Sequence, residues 1–174
     1  VFDRTRCIRC GACAAQCWAG ALVMTGRSVS AQEVVEEIAK DALFYENSGG
    51  GATFSGGEPL LQPDFLREML IGCKERGFHC TVETAGFAPW ESFEKIIPHT
   101  DLFLYDLKIV DSALHQKMTG AGNERILENL RRLAGRAKQL IVRTPEIPGI
   151  NDTPEEKQRL VELLGTLGRK VEHV

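Results

Sequence analysis

The sequence predicts an α/β fold in which parallel strands alternate with helices, preceded by a short cysteine-rich segment. Three observations predict it. Short apolar runs alternate with helical stripes from residue 28 onwards, polar residues recur where the apolar runs end, and four of the six cysteines lie between positions 7 and 17. Strands joined by helices pair in parallel through right-handed crossovers. We therefore divide the chain into residues 1–27 and 28–174.

The composition is that of an ordinary globular domain. A chain of 174 residues, 43% apolar and 26% charged, can bury a sizeable core. No apolar stretch approaches the length of a membrane span, and a net charge of −3 gives no electrostatic case for nucleic acid or anionic lipid. We therefore expect no nucleic-acid partner and no membrane partner. Without a secretory signal in these residues, we expect a cytoplasmic location.

The first segment carries the run Cys7-Ile-Arg-Cys10-Gly-Ala-Cys13-Ala-Ala-Gln-Cys17. This spacing suits a cubane 4Fe-4S cluster, because a tight loop can deliver three thiolates to neighbouring iron corners. Zinc ribbons usually present two separated cysteine pairs, and cysteines this close in sequence bridge poorly as disulfides. In two-cluster ferredoxins the fourth cysteine ligates the other cluster. Cys17 therefore has two alternatives, this cluster or a second one.

From residue 28 the elements follow one another in a regular alternation. Ser30-Ala-Gln-Glu33 reads as a capping box that opens a helix with Val34, Ile38 and Ala42 on one face. A short strand, 52–54, then leads into Ser55-Gly-Gly-Glu-Pro59. The remaining predicted elements are helices at 63–76, 89–97, around 126–133 and after the capping box 153–156, with strands at 79–83, 102–107, 140–143 and from 170.

Polar residues lie where the predicted strands end, which is where α/β folds place ligand sites. They are Glu58, Glu83 with Thr84, Asp106 with Lys108, and Arg143. Singly, each has an ordinary explanation as a turn or a surface charge pair. Their recurrence at successive strand ends indicates a site for an anionic or zwitterionic ligand.

Several segments together carry a resemblance to a known family. They are Cys7–Cys17, Asn47–Gln62, Glu83-Thr-Ala-Gly86, Tyr105-Asp-Leu-Lys108 and Arg143–Asp152. In combination and order they resemble the glycyl-radical enzyme activating enzymes of the radical S-adenosylmethionine superfamily. The resemblance implies a partial (β/α)6 barrel that cleaves S-adenosylmethionine reductively and takes a hydrogen atom from a glycine of a partner enzyme. It also implies an electron donor such as flavodoxin or ferredoxin.

The resemblance assigns roles to individual residues. Gly56, Gly57 and Glu58 match the segment whose backbone meets the cofactor's methionine amino group, and Pro59 fixes the turn. Lys108 matches a lysine near the cofactor carboxylate. Asp106 matches an acid at the site of a monovalent cation, which Glu83 and Thr84 complete. Arg143 matches an arginine that contacts the cofactor.

One departure from the family is an absence. The superfamily's Cys-x-x-x-Cys-x-x-Cys, which holds the cluster that cleaves the cofactor, does not occur in these residues. In the family, ferredoxin-type motifs form an insert between that loop and the Gly-Gly-Glu-Pro strand. We therefore interpret the chain as an internal fragment, truncated at both ends: a ferredoxin-like iron–sulfur segment (1–27) and a partial radical-SAM barrel (28–174). Alone, we expect it to be inactive.

Two other functions stay open at this point. One is a small iron–sulfur electron-transfer protein, and the other is a radical-SAM enzyme acting on a small molecule. The remaining notable residues predict packing roles: Cys73 and Cys80 as buried thiols, and Trp18 and Trp90 as packing residues. The four histidines show no metal-ligand spacing with one another.

Overall fold

A computed structural model describes residues 4–168 and 171–174. The chain divides into two compact units, and the division falls between Ser30 and Ala31. Among the described residues, no helix is both long enough and apolar enough to cross a bilayer.

The first unit contains little regular structure. A 3-10 turn spans Arg4–Arg6, and a short helix, α1, spans Ala12–Ala15. Gly11 precedes α1 with φ 76°, a left-handed conformation that glycine adopts without steric cost. Trp18 is fully exposed in this unit, so the prediction that it is a packing residue is wrong.

The second unit is an alternation of strands and helices. It begins with α2 and α3, and each later strand is followed by at least one helix until the last strand is reached. The elements are α2 Ala31–Ala39, α3 Ala42–Ser48, β1 Gly51–Phe54, α4 Pro63–Glu75, β2 His79–Thr84, α5 Trp90–Ile96, β3 Leu102–Asp106, α6 Ser112–Thr119, α7 Glu124–Ala134, β4 Gln139–Arg143, α8 Pro154–Gly165 and β5 Val171–His173. Two 3-10 turns, Pro59–Leu61 and Ile97–His99, lie between them.

Five strands of the described chain form one sheet in the order β1-β2-β3-β4-β5, and every pair is parallel. Sequential order with helical crossovers is the arrangement of a barrel wall. The predicted α/β class and partial barrel are thus confirmed. The register pairs Asp106 with Arg143 and Glu83 with Leu104, so these side chains share one face of the sheet.

The two faces of the sheet differ in burial. Val82, Phe103, Tyr105 and Val142 lie on one face, are fully buried and belong to the core cluster that they share with the helices. On the other face Glu83, Leu104, Asp106, Ile141 and Arg143 are only partly buried. We call these five residues the open face. The side chains that bear charge at the strand ends are therefore placed where a ligand can reach them.

The structure confirms three predicted buried residues and departs from the predicted elements in two places. The predicted thiols Cys73 and Cys80 are fully buried, and Trp90 is buried beneath the guanidinium of Arg132 at 4.1 Å. Helix α6 was not predicted, because its one buried residue is His115 rather than an apolar stripe. In the capping box before α8, Thr153 does cap the helix, but Glu156 accepts from the backbone of Val110 and Asp111 instead. Lys170, the predicted first residue of the last strand, lies outside the described residues.

Asp101 joins the amino ends of the strands. Its carboxylate accepts from Lys74 Nζ at 2.7 Å, from Lys138 Nζ at 3.0 Å and from the Cys80 amide at 2.9 Å. Burial opposes ionisation of this group, but the three hydrogen bonds outweigh it and hold the pKa of Asp101 below its ordinary range. A lowered folded-state pKa stabilises the fold above the unfolded pKa and loses that contribution as the pH falls through the folded value.

We expect Asp101→Asn to lower the free energy of unfolding by about 2 kcal/mol at neutral pH, the usual worth of hydrogen bonds to a charged group. The deficit should shrink below about pH 4, where the wild-type carboxyl takes up its proton on unfolding. Urea unfolding at neutral and acid pH measures both. Asp64→Asn is the matched control, because Asp64 pairs with Lys95 at 2.6 Å but its side chain is 74% exposed. A deficit of equal size at both pH values would contradict the assignment.

Candidate functional site

The predicted site residues of the second unit all lie at or just beyond the carboxyl ends of β1 to β4. Gly56, Gly57 and Glu58 follow β1, Glu83 and Thr84 end β2, Asp106 ends β3 and Arg143 ends β4. Because parallel strands present their carboxyl ends at one edge of a sheet, the fold gathers these residues at that edge.

The loop after β1 has the backbone freedom that a close approach requires. Gly56 has φ 125°, which side-chain-bearing residues rarely adopt. A Cβ placed on Gly57 would meet nothing within 4 Å, so the backbone there borders open space. Pro59 then opens the 3-10 turn, with Glu58 as its N-cap. The loop thus presents bare backbone at the site edge.

Glu58 ties this loop to the end of β2. Its Oε1 accepts from the Thr84 hydroxyl at 2.8 Å and from the Leu60 amide at 3.2 Å, while Oε2 accepts from the Ala85 amide at 3.0 Å. Thr84 in turn accepts from the Gly86 amide at 2.9 Å. The carboxylate therefore links the ends of β1 and β2 through both of its oxygens.

Arg143 joins three strands on the open face. Its Nε and Nη2 donate to Asp106 Oδ1 at 2.9 and 2.7 Å, and Nη2 also donates to Glu83. Hydrogen bonds from Arg143 and then Ser55 lower the pKa of Glu83, and the bond to Glu83 raises the pKa of Arg143. Glu83, Asp106 and Arg143 therefore form one network of ion pairs.

Thr84 and Lys108 lie apart from that network. Consecutive strand residues point to opposite faces, so the Thr84 hydroxyl is buried and bonded to Glu58 while Glu83 faces Arg143. Lys108 is exposed between buried Leu107 and Ile109. It borders two hollows, one of about 390 Å³ towards α8 and one of about 210 Å³ towards α6. The structure thus brings together two groups of the predicted residues and leaves Lys108 beside them.

The four clustered cysteines lie in the first unit and have free thiols. Cys7, Cys10 and Cys13 are exposed and line a hollow of about 600 Å³. Backbone amides donate to two of the sulfurs, Arg9 to Cys7 at 3.4 Å and Leu22 to Cys17 at 3.3 Å. Throughout the described residues, no three His, Cys, Asp or Glu side chains are gathered as they would be around one metal ion.

Sequence reasoning did not single out three buried polar residues beside the site: Asn123, Asn151 and Glu156. Each of them makes at least one hydrogen bond to the backbone that follows β3. Asn123 and Asn151 lie in loops where asparagine is common, and Glu156 is explained by the capping-box pattern. A signal was nevertheless present, because Asn151 falls in the segment Arg143–Asp152 that carries the family resemblance.

Comparison with protein families matches residues 8–164 to the model described as the Radical SAM superfamily. The isethionate sulfite-lyase activating enzyme of Oleidesulfovibrio alaskensis is 40% identical over 169 residues, which are 95% of this chain and 55% of that protein. The (2S)-3-sulfopropanediol dehydratase activating enzyme of Klebsiella oxytoca is 38% identical over 171 residues, 98% of this chain and 54% of that protein. The chain spans about half the length of these curated relatives.

Solved structures agree with these relatives. A domain of pyruvate-formate lyase-activating enzyme from Bacteroides vulgatus superposes with a TM-score of 0.57 at 30% identity, covering 72% of this chain and 99% of that one. A radical SAM methyltransferase from Sphaerobacter thermophilus gives a TM-score of 0.64 at 20% identity, covering 88% and 49%, and shows the fold alone. The resemblance to glycyl-radical enzyme activating enzymes is confirmed. With its parallel sheet, its strand-end site and the match over residues 8–164, the chain belongs to the radical SAM superfamily.

Proposed function

We propose that this chain is the cofactor-binding part of an enzyme that activates a glycyl-radical enzyme. The observation that carries the proposal is the gathering of the Gly56–Glu58 loop, Glu83, Asp106 and Arg143 at one sheet edge, in a chain whose relatives are named as activating enzymes. S-adenosylmethionine, when bound and reductively cleaved, supplies a 5′-deoxyadenosyl radical that takes a hydrogen atom from a glycine of the partner protein.

The residues at the edge suit a zwitterionic amino-acid moiety. Bare backbone at Gly56 and Gly57 lets an ammonium group approach the carbonyl oxygens closely. Lys108, exposed beside two hollows, offers a point charge for a carboxylate. Arg143 is oriented by Asp106 and Glu83 through Nε and Nη2, which leaves Nη1 to contact the cofactor with defined geometry. We assign ammonium, carboxylate and further cofactor contacts to these three places.

A monovalent cation beside the cofactor also belongs to the proposal, with Asp106 and Glu83 as its carboxylate ligands. Arg143 already neutralises both carboxylates, so a cation there must share or displace the guanidinium. Thr84 would contribute through its backbone carbonyl, because its hydroxyl is bonded to Glu58 on the other face.

We further propose that Cys7, Cys10 and Cys13 hold an auxiliary 4Fe-4S cluster. Their shared hollow and the amide donated to Cys7 suit a cluster whose sulfurs accept hydrogen bonds. Cys17, which lies outside that lining, suits a second cluster equally well. Flavodoxin or ferredoxin is the proposed electron donor, and the cytoplasm is the proposed location. Lacking the Cys-x-x-x-Cys-x-x-Cys loop, the 174 residues alone should release no 5′-deoxyadenosine.

Substitution of Lys108 tests the cofactor site. In the whole protein, Lys108→Ala should weaken S-adenosylmethionine binding about tenfold or more, because a charge-assisted contact with the carboxylate is lost. Equilibrium binding measured by calorimetry gives the dissociation constant. Lys117→Ala is the matched control, an exposed lysine near the end of α6, and should bind as the wild type does. Equal affinity of the Lys108 variant and the wild type would contradict the site.

A further inference from the structure

The backbone that carries Lys108 is held by side chains from other elements. Lys108 itself is exposed, whereas Leu107 and Ile109 on either side are 1% and 4% exposed. Between Lys108 and Asp111, three carbonyl oxygens and two amides are hydrogen-bonded by Asn123, Asn151 and Glu156. We call these three residues the polar clamp.

Asn151 connects the loop after β3 to the loop after β4. Its Nδ2 donates to the Lys108 carbonyl at 2.7 Å and to the Pro145 carbonyl at 2.8 Å, while its Oδ1 accepts from the Ile147 amide at 2.6 Å. Both amide hydrogens and the carbonyl are therefore engaged, and the side chain is 5% exposed. Asn151 fixes Lys108 relative to the segment that follows Arg143.

Glu156 holds the other end of the same segment. Its carboxylate accepts from the Val110 and Asp111 amides, the latter at 3.2 Å, although the residue is 5% exposed. It lies in the first turn of α8, where the helix dipole favours a negative charge. Arg159 is 3.5 Å away and supplies the one opposite charge that the described residues pair with it.

Asn123 completes the clamp from the start of α7. It is fully buried, and its Nδ2 donates to the Ile109 and Val110 carbonyls at 2.9 and 2.8 Å. Its Oδ1 has no partner among the described residues. Burying an amide oxygen without a partner carries a desolvation cost, which the two bonds from Nδ2 to this backbone offset.

We propose that Asn151, Glu156 and Asn123 are positioning residues that fix the backbone of Lys108 and so set its affinity for the carboxylate of a bound amino-acid moiety. The inference rests on the proposed function. A lysine side chain loses rotamer entropy when it is ordered. When the Cα of Lys108 is already fixed, binding has to order only the lysine side chain. With a mobile loop, binding would also have to order the backbone of that loop.

A double-mutant cycle separates positioning from general stabilisation. In the whole protein, Asn151→Ala should weaken S-adenosylmethionine binding about tenfold when Lys108 is present. In a Lys108→Ala background the same change should weaken binding less than about twofold, because there is no ammonium left to position. Equal factors in the two backgrounds would overturn the proposal, since Asn151 would then act independently of Lys108.

The Glu156 variants provide a second test that does not depend on how well the Asn151 variant folds. Glu156→Gln keeps an oxygen acceptor for both amides and should bind within about twofold of the wild type, whereas Glu156→Ala should lose about as much affinity as Asn151→Ala. If Glu156 acted only through its negative charge, Glu156→Gln would bind as weakly as Glu156→Ala. Hydrogen exchange at the Val110 and Asp111 amides should rise in Glu156→Ala only, and unchanged exchange there would overturn the clamp.

Two further results keep the two proposals distinguishable. If Lys108→Ala leaves binding unchanged, the lysine has no role in the cofactor site, and both proposals fall. If Lys108→Ala weakens binding while Asn151→Ala and Glu156→Ala do not, the clamp alone is wrong. Asp101→Asn is the stability control: it weakens the fold at the opposite ends of the strands and should leave the coupling with Lys108 at zero.

Discussion

Gly86→Ala should be among the most destabilising single changes in this protein, costing about 2–5 kcal/mol. A Cβ at residue 86 would lie 1.7 Å from Tyr105 Oη and 2.2 Å from its Cζ. Tyr105 cannot move aside cheaply, because it is fully buried and its hydroxyl donates to the Ile126 carbonyl at 2.7 Å. Overpacking costs about 1–3 kcal/mol and the left-handed φ of 77° about 1–2 more. Urea unfolding of the variant measures the total.

Gly77→Ala is the matched control for this prediction. Gly77 has the same φ of 77°, but a Cβ there would meet nothing within 4 Å. Its variant should lose only the backbone contribution, about 1–2 kcal/mol. In a Tyr105→Leu background, Gly86→Ala should also cost no more than that, because the phenol ring has gone. Equal losses in Gly77→Ala and Gly86→Ala would show that contact with Tyr105 is not the cause.

The strands could be predicted from the sequence because each is a short apolar run bounded by glycine or by charged residues. Leu102–Asp106 and Gln139–Arg143 were predicted to within one residue at each end. Helix α6 could not be predicted in this way, because it has no apolar stripe. Its buried residue is His115, which hydrogen-bonds the Ala121 carbonyl. Trp18 was predicted as a packing residue, and the fold of the first unit leaves it exposed.

The positions of the site residues could be predicted, but their pairing could not. Parallel strands bring their carboxyl ends to one edge, so Glu83, Asp106 and Arg143 were expected there. That Arg143 bonds to both acids depends on the register of β2, β3 and β4 and on a side-chain rotamer. The polar clamp was missed for the same reason, because Asn151 lies 43 residues from the carbonyl that it holds.

Glu58→Gln should weaken both the fold and the cofactor site, although the two side chains have the same shape. The carboxylate accepts three hydrogen bonds through two oxygens, from Leu60, Thr84 and Ala85. A glutamine has one acceptor oxygen, so its NH2 group must face either the Ala85 amide or the other two donors. We expect a loss of about 2–3 kcal/mol in unfolding free energy, and S-adenosylmethionine binding weakened about tenfold as the Gly56–Gly57 backbone loses its anchor.

Three variants decide whether the loss arises in this way. Glu68→Gln, an exposed change on α4, should stay within about 0.5 kcal/mol of the wild type. Thr84→Val removes one donor to Glu58 and should cost less than Glu58→Gln, because the two amide donors keep their carboxylate. Glu58→Gln added to Thr84→Val should then cost less than the sum of the two single changes. Strict additivity would mean that Glu58 and Thr84 do not stabilise the fold through their shared hydrogen bond, which would contradict the coupling of β1 to β2 through this pair.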